Sequence, residues 1–149
     1  MRAIAKVGIV VGAIVGGLAT YAAVALHRAQ MSGTQIRNFV QLQVHARALD
    51  QYRAARGAYP QELAAVVAIE PSAIGDRRYL NGLDYWGHPL ILKTDGQHFM
   101  LVSLGRDGRS DGRPIPELGA PASLDKTPCG DNTLDTVLSD RGLLRGCAK

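Results

Sequence analysis

The stretch Val7–Leu26, VGIVVGAIVGGLATYAAVAL, runs for 20 residues without a charge. At 1.5 Å rise per residue, a helix of that length spans about 30 Å, the thickness of a bilayer's hydrocarbon layer. A soluble helix of equal length would carry a polar stripe, and this run has none. Arg2 and Lys6 precede it and His27 and Arg28 follow it. That charge order predicts a cytoplasmic N-terminus and an exported C-terminal part. Gly12 and Gly16 hold a Gly-x-x-x-Gly spacing, which lets two membrane helices approach closely. The same residues also read as a secretory signal, with a basic start at Arg2–Lys6, an apolar centre at Val7–Val15 and a small-x-small cleavage site at Ala23–Ala25. The length of the run favours a retained anchor over a cleaved signal. Both readings export the rest of the chain.

The chain has 149 residues, room for one domain and an accessory segment. Its net charge of +4 invites a polyanion partner. However, three of the 17 basic residues are Arg2, Lys6 and Arg28, beside the apolar run, and the remainder nearly balance the 13 acidic ones. A near-neutral domain with both signs interleaved has no electrostatic footprint for nucleic acid.

After the apolar run, QIRNFVQLQVHARALDQYRAARG reads as a helix. Ile36, Phe39, Leu42, Ala46, Leu49 and Tyr52 recur at spacings of three and four and predict one apolar stripe. Gly57 is placed as a left-handed C-cap, and Pro60 prevents the helix from resuming. His45 reads as a surface or packing residue, since no second ligand lies three or four positions away. Gln61–Ile74 reads as a short helix and loop. Beyond it, two apolar runs flank Lys93-Thr94-Asp95-Gly96, and Asp-Gly predicts a two-residue hairpin between strands at Pro89–Thr94 and Gln97–Leu104. Two strands are not stable alone, so their apolar face must lie on the helical stripe, with Tyr59 at the edge of that seam.

SLGRDGRSDG, Ser103–Gly112, is rich in Gly and Asp. Asp107, Ser110 and Asp111 offer oxygen ligands to calcium, but Arg109 and Leu118 depart from the EF-hand pattern. Composition alone favours an ordinary polar loop. The tail, 113–149, starts with Pro114, Pro116 and Pro121, and Asp135–Leu144 reads as a short helix or strand. It carries the two cysteines, Cys129 and Cys147, which in an exported domain predict one disulfide. The division expected is 1–30 as anchor or signal, 31–112 as a helix–sheet domain and 113–149 as an extension.

Two stretches resemble the major pseudopilin of the type II secretion system. LDQYRAARGAYP is similar to that family's Leu-x-x-Tyr…Gly-x-Tyr-Pro signature, carried here by Leu49, Tyr52, Gly57, Tyr59 and Pro60. YLNGLDYWGHPLILKTDGQHFMLVSLGRDG is similar to its Trp-Gly turn, hairpin and Ser-Leu-Gly-x-Asp-Gly loop. Asp84, Trp86, Gly87 and Pro89 carry the turn, and Ser103, Leu104, Gly105, Asp107 and Gly108 carry the loop. The resemblance implies an α+β, pilin-like fold: a long N-terminal helix, half in the membrane and half amphipathic, packed on a small antiparallel sheet. It implies a non-enzymatic role at the bacterial inner membrane with the domain in the periplasm. The implied partners are other pseudopilins or inner-membrane secretion components, with self-association. It further implies calcium at the loop, matched by the Leu104 carbonyl and the Asp107 carboxylate, with Asp111 standing in for later acidic ligands. No acidic residue precedes Asp50, so the family's Phe-Thr-Leu-x-Glu start and leader site are not recognisable. Two expectations follow: a divergent relative that stays anchored and does not polymerise, or a chain whose true start is assigned elsewhere.

Ser103, Ser110, His88 and His98 form no nucleophile–base–orienter pattern, and no enzyme activity is expected. The alternative function is a small secreted or periplasmic binding module, released near Ala25, with Asp107–Asp111 as a calcium-dependent ligand site.

Overall fold

The spacing around Leu42 and Leu49 forms a helix, α1, over residues 33–56 in the computed structural model, which describes residues 33–67, 80–121, 125–126 and 131–146. The apolar run Val7–Leu26, the expected anchor 1–30, and both Cys129 and Cys147 lie outside the described residues. Among the described residues, no helix is long and apolar enough to cross a membrane.

The buried face of α1 keeps the expected stripe except at Ile36. Leu42, Ala48 and Leu49 are fully buried, and Phe39, Ala46 and Tyr52 pack partly against them. Ile36 is instead 52% exposed, as is Val40 at 51%. Polar side chains take the inward positions nearer the start of the helix: Asn38, Gln41 and His45 are all buried. Spacings of three and four put 38, 41, 45, 48 and 52 on one face. The face is therefore half polar and half apolar, and Ile36 lies to one side of it.

Gly57 ends α1 at a φ of +85°, with its N–H donating to the Arg53 carbonyl at 2.7 Å. This is the left-handed cap that glycine adopts without a Cβ penalty. A short helix, α2, follows at Ala64–Val67.

The sheet has five strands: β1 (Ile91–Thr94), β2 (Phe99–Ser103), β3 (Asp125–Lys126), β4 (Thr136–Ser139) and β5 (Gly142–Gly146). Their order is β1-β2-β4-β5-β3. All neighbours are antiparallel except β3, which pairs parallel with β5. The hairpin read from the sequence is present, with Ile91 opposite Val102 and Thr94 opposite Phe99. Its connection is longer than the predicted two-residue turn and spans 95–98. A two-residue type I′ turn needs positive φ at both central residues, and among the described residues only glycines have it. Asp95 instead folds back, its Oδ1 accepting from the N–H groups of Gln97 at 2.8 Å and His98 at 2.7 Å.

The tail does more than extend the domain. β4 pairs with β2, setting Leu101 opposite Leu138, so β2 becomes an interior strand buried along its length. Alternation then makes two cores from one strand. Phe99 and Leu101 join Leu42, Leu49, Tyr59, Leu80, Leu90 and Leu138 on the helix side. Met100 and Val102 join Val137 and Leu144 on the opposite side, covered by Ile115 and Leu118 of the Pro-rich stretch. The sheet therefore crosses the expected boundary at residue 112, and residues from 113–149 complete it.

Candidate functional site

Three places carry the residues singled out in the sequence: the end of α1, the turn at 82–90 and the loop at 104–113.

At the end of α1, Pro60 and Tyr59 are buried. The Tyr59 N–H donates to the Gly96 carbonyl at 2.9 Å, and its ring meets Phe99 edge-to-face at 4.9 Å. Its hydroxyl donates to Asp50 Oδ1 at 2.8 Å, while the Arg53 guanidinium lies 4.9 Å from the ring centroid. One side chain thus joins the helix end, the β1–β2 turn and the core. Burial raises the phenol above its ordinary pKa.

The turn at 82–90 is built around the Asp84 carboxylate, which is 2% exposed. Its Oδ1 accepts from the N–H groups of Trp86 at 3.0 Å and His88 at 2.8 Å. Its Oδ2 accepts from the Ser103 hydroxyl at 2.8 Å. Gly87 closes the turn at a φ of +88°, and Trp86 packs edge-to-face on Tyr85 at 5.9 Å. The inward polar residues of α1 bond this turn. The Asn38 amide donates to Ser103 Oγ at 3.2 Å and accepts from the Tyr85 N–H at 3.2 Å. Gln41 donates to the Leu83 carbonyl at 2.7 Å. His45 Nδ1 donates to the Gln41 carbonyl at 2.9 Å, which leaves Nε2 to accept from the Gly82 N–H at 3.1 Å. Burial keeps this imidazole below its ordinary pKa, against the opposing effect of the Gln41 bond. Buried turns need such partners, because their backbone groups have no strand to pair with. The sequence reading missed this seam. Its signal is the spacing of Asn38, Gln41 and His45 at three and four, which an apolar pattern does not contain.

In the loop at 104–113, two glycines are required by their surroundings. A Cβ on Gly105, at a φ of +74°, would stand 2.8 Å from the Asn132 carbonyl oxygen, and one on Gly108, at +65°, would stand 2.9 Å from the His88 ring. The Arg106 N–H donates to the Asn132 carbonyl at 2.7 Å, and the Arg106 carbonyl lies 3.0 Å from His88 Nε2.

The three residues matched to calcium have different surroundings. Leu104 is half-buried beside the second core. Asp107 is exposed and uses Oδ1 to accept from the Arg109 N–H at 3.1 Å. Asp111 is turned toward two arginines: Arg113 Nη2 at 2.6 Å and Nε at 2.9 Å, and Arg145 Nη1 at 3.7 Å. Burial alone would raise the Asp111 carboxyl. Hydrogen bonds from Arg113 and from the Asp135 N–H outweigh it and hold the group at about 2. Asp135 is pushed up by burial and by the neighbouring Asp111 charge. Calcium takes six to eight oxygens at about 2.3–2.6 Å. Among the described residues, no group of three His, Cys, Asp or Glu is placed to hold a metal. As arranged, the Asp111 carboxylate is occupied by Arg113 and Asp107 Oδ1 by the Arg109 N–H.

A groove of about 300 Å³ lies along the exposed side of α1, lined by Ile36, Arg37, Val40, Gln41 and Tyr85. The sequence profile of the family described as type II secretion system (T2SS), protein G, matches residues 25–117. Comparison with curated proteins and with solved structures gives no match.

Proposed function

Because the chain belongs to the type II secretion system protein G family, we propose that it is a non-enzymatic, pseudopilin-like subunit of the inner membrane, with its folded domain in the periplasm. It contributes to protein export through a periplasmic pseudopilus or as an anchored accessory to one. The observation that carries this reading is the family match across 25–117, which begins inside the apolar run and includes α1, the Asp84 turn and the hairpin. The length of Val7–Leu26 supports anchoring. Helix-on-sheet packing through Leu42, Leu49, Phe99 and Leu101 supports a pilin-like domain.

Cys129 and Cys147 form a disulfide in this reading. Two points support it: an exported domain meets an oxidising compartment, and Lys126 and Gly146, three and one positions before the cysteines, are paired in the sheet. The alternative, a calcium-dependent binding module, lacks equal support because Asp111 is engaged by Arg113.

Cross-linking in intact cells, with the adducts identified by mass spectrometry, tests the proposal. Other pseudopilins or inner-membrane secretion components are the expected adducts. Adducts confined to cytoplasmic proteins would overturn it.

A further inference from the structure

Arg145, on β5, is 4% exposed. Its Nε donates to Asp125 Oδ2 at 3.2 Å, its Nη2 donates to the Pro114 carbonyl at 2.8 Å, and its Nη1 lies 3.7 Å from Asp111 Oδ1. Nη1 is buried without a hydrogen bond of its own. Arg113 closes the same cluster from outside, with Nη1 on Asp125 Oδ2 at 3.2 Å and two nitrogens on Asp111 Oδ2. Asp135 is 1% exposed, and its Oδ2 lies 3.4 Å from both Ser110 Oγ and the Asp111 nitrogen.

Carboxylates from separate segments and one backbone carbonyl therefore gather where loop 110–114, β3 and β4 meet β5. The charge these oxygens face is covalently part of the chain. A buried guanidinium is expensive to desolvate and persists only where acceptors surround it. Here the acceptors are the same oxygen types a hard divalent cation would use.

We propose that Arg145 is the built-in cation of this loop, doing the ordering that bound calcium is implied to do by the family resemblance, so that the loop is fixed without metal. The cross-link runs from β5 to Asp125 of β3 and to Asp111 and Pro114 of the loop. It ties the tail to the loop, and a tail carrying this arginine removes the need for an ion. Taking the guanidinium away leaves Asp111, Asp125 and Asp135 facing a space with Arg113 as the remaining positive group among those described here. The variant then becomes the calcium-responsive form.

The test uses the full-length chain, melted in chelator and in millimolar calcium, alongside calorimetric titration with calcium chloride. For the native chain, the expected result is the same melting temperature in both conditions and no binding heat. Arg145→Gln should melt lower by roughly 5 °C or more in chelator, since it removes a buried guanidinium's bonds to Asp125 and the Pro114 carbonyl while Arg113 still holds Asp111. Calcium should recover part of that loss. Arg145→Lys should fall between the two, because it keeps the charge but not the fork. Should Arg145→Gln fail to fold, the native titration and Arg145→Lys still decide. A native melting temperature that rises with calcium overturns the proposal, as does an Arg145→Gln variant that melts like the native chain.

Discussion

Asp84→Ala should remove a large part of this domain's stability, although Asp84 belongs to neither apolar core. The carboxylate is buried and accepts three hydrogen bonds, from the Trp86 and His88 N–H groups and from the Ser103 hydroxyl. Alanine removes the acceptor and leaves all three donors. Each buried donor left unsatisfied costs about 1–3 kcal/mol, and hydrogen bonds to a charged group lie at the upper end. Trp86 and His88 are only half-buried, so water recovers part of the loss. The expected cost is about 3–5 kcal/mol, a large share of the roughly 5–15 kcal/mol that holds a typical domain. Asp84→Asn keeps the shape but must turn its NH2 toward at least one donor, and should cost about 1–3 kcal/mol. Ser103→Ala should cost about 1–2 kcal/mol, because it removes the hydroxyl between Asn38 and Asp84. Urea unfolding followed by circular dichroism measures each midpoint. A midpoint for Asp84→Ala within about 0.5 kcal/mol of the native chain, the ordinary range for surface changes, would refute the idea that this carboxylate organises the turn.

Two further outcomes follow from local geometry. Gly105→Ala should destabilise more than Gly108→Ala, since its Cβ would meet fixed backbone at Asn132 and Thr133, whereas the second meets a histidine ring that can rotate; melting temperatures of the two variants check the order. His45 is neutral in the fold and has its pKa lowered by burial, so it contributes fully above about pH 6.5. As pH falls below that value, the unfolded chain takes a proton the folded chain refuses, and stability drops by up to about 1.4 kcal/mol per pH unit until the folded pKa is passed. Unfolding free energies from pH 8 to 5 should show this slope, and His45→Gln should lessen it.

What the sequence disclosed depended on the range of each interaction. The hairpin and the cap at Gly57 are local events, signalled by Asp95-Gly96 and by the end of a helical period at Pro60. The packing partner of that hairpin was also legible, because two strands need a cover and Leu42 and Leu49 offered one. β4 was ambiguous: Thr136-Val-Leu-Ser is a short apolar run, and such runs suit a strand or a helix turn equally. Its pairing with β2 spans more than 30 residues of chain, and no local pattern encodes that. Asn38, Gln41 and His45 were hidden for a different reason. A polar residue on a buried face is invisible to a count of apolar spacing, and it becomes explicable only when the Gly82 and Tyr85 N–H groups and the Leu83 carbonyl are seen opposite. The same limit applied at Asp111. Its acidic side chain resembled a cation ligand in the loop motif; Arg113, two positions on, takes its carboxylate, and the second arginine beside it, Arg145 on β5, lies 34 positions later.

As a pseudopilin-like subunit, the domain is expected outside the inner membrane, held there by Val7–Leu26. Protease added to intact spheroplasts tests it most directly, because Arg106 and Arg109 are exposed on the loop and offer trypsin its cleavage sites. The prediction is that trypsin cuts the full-length chain from outside without lysis, and that the uncut chain stays with the membrane pellet after alkaline washing. Protection until the cells are lysed, or recovery of the chain in the soluble fraction, would contradict the account.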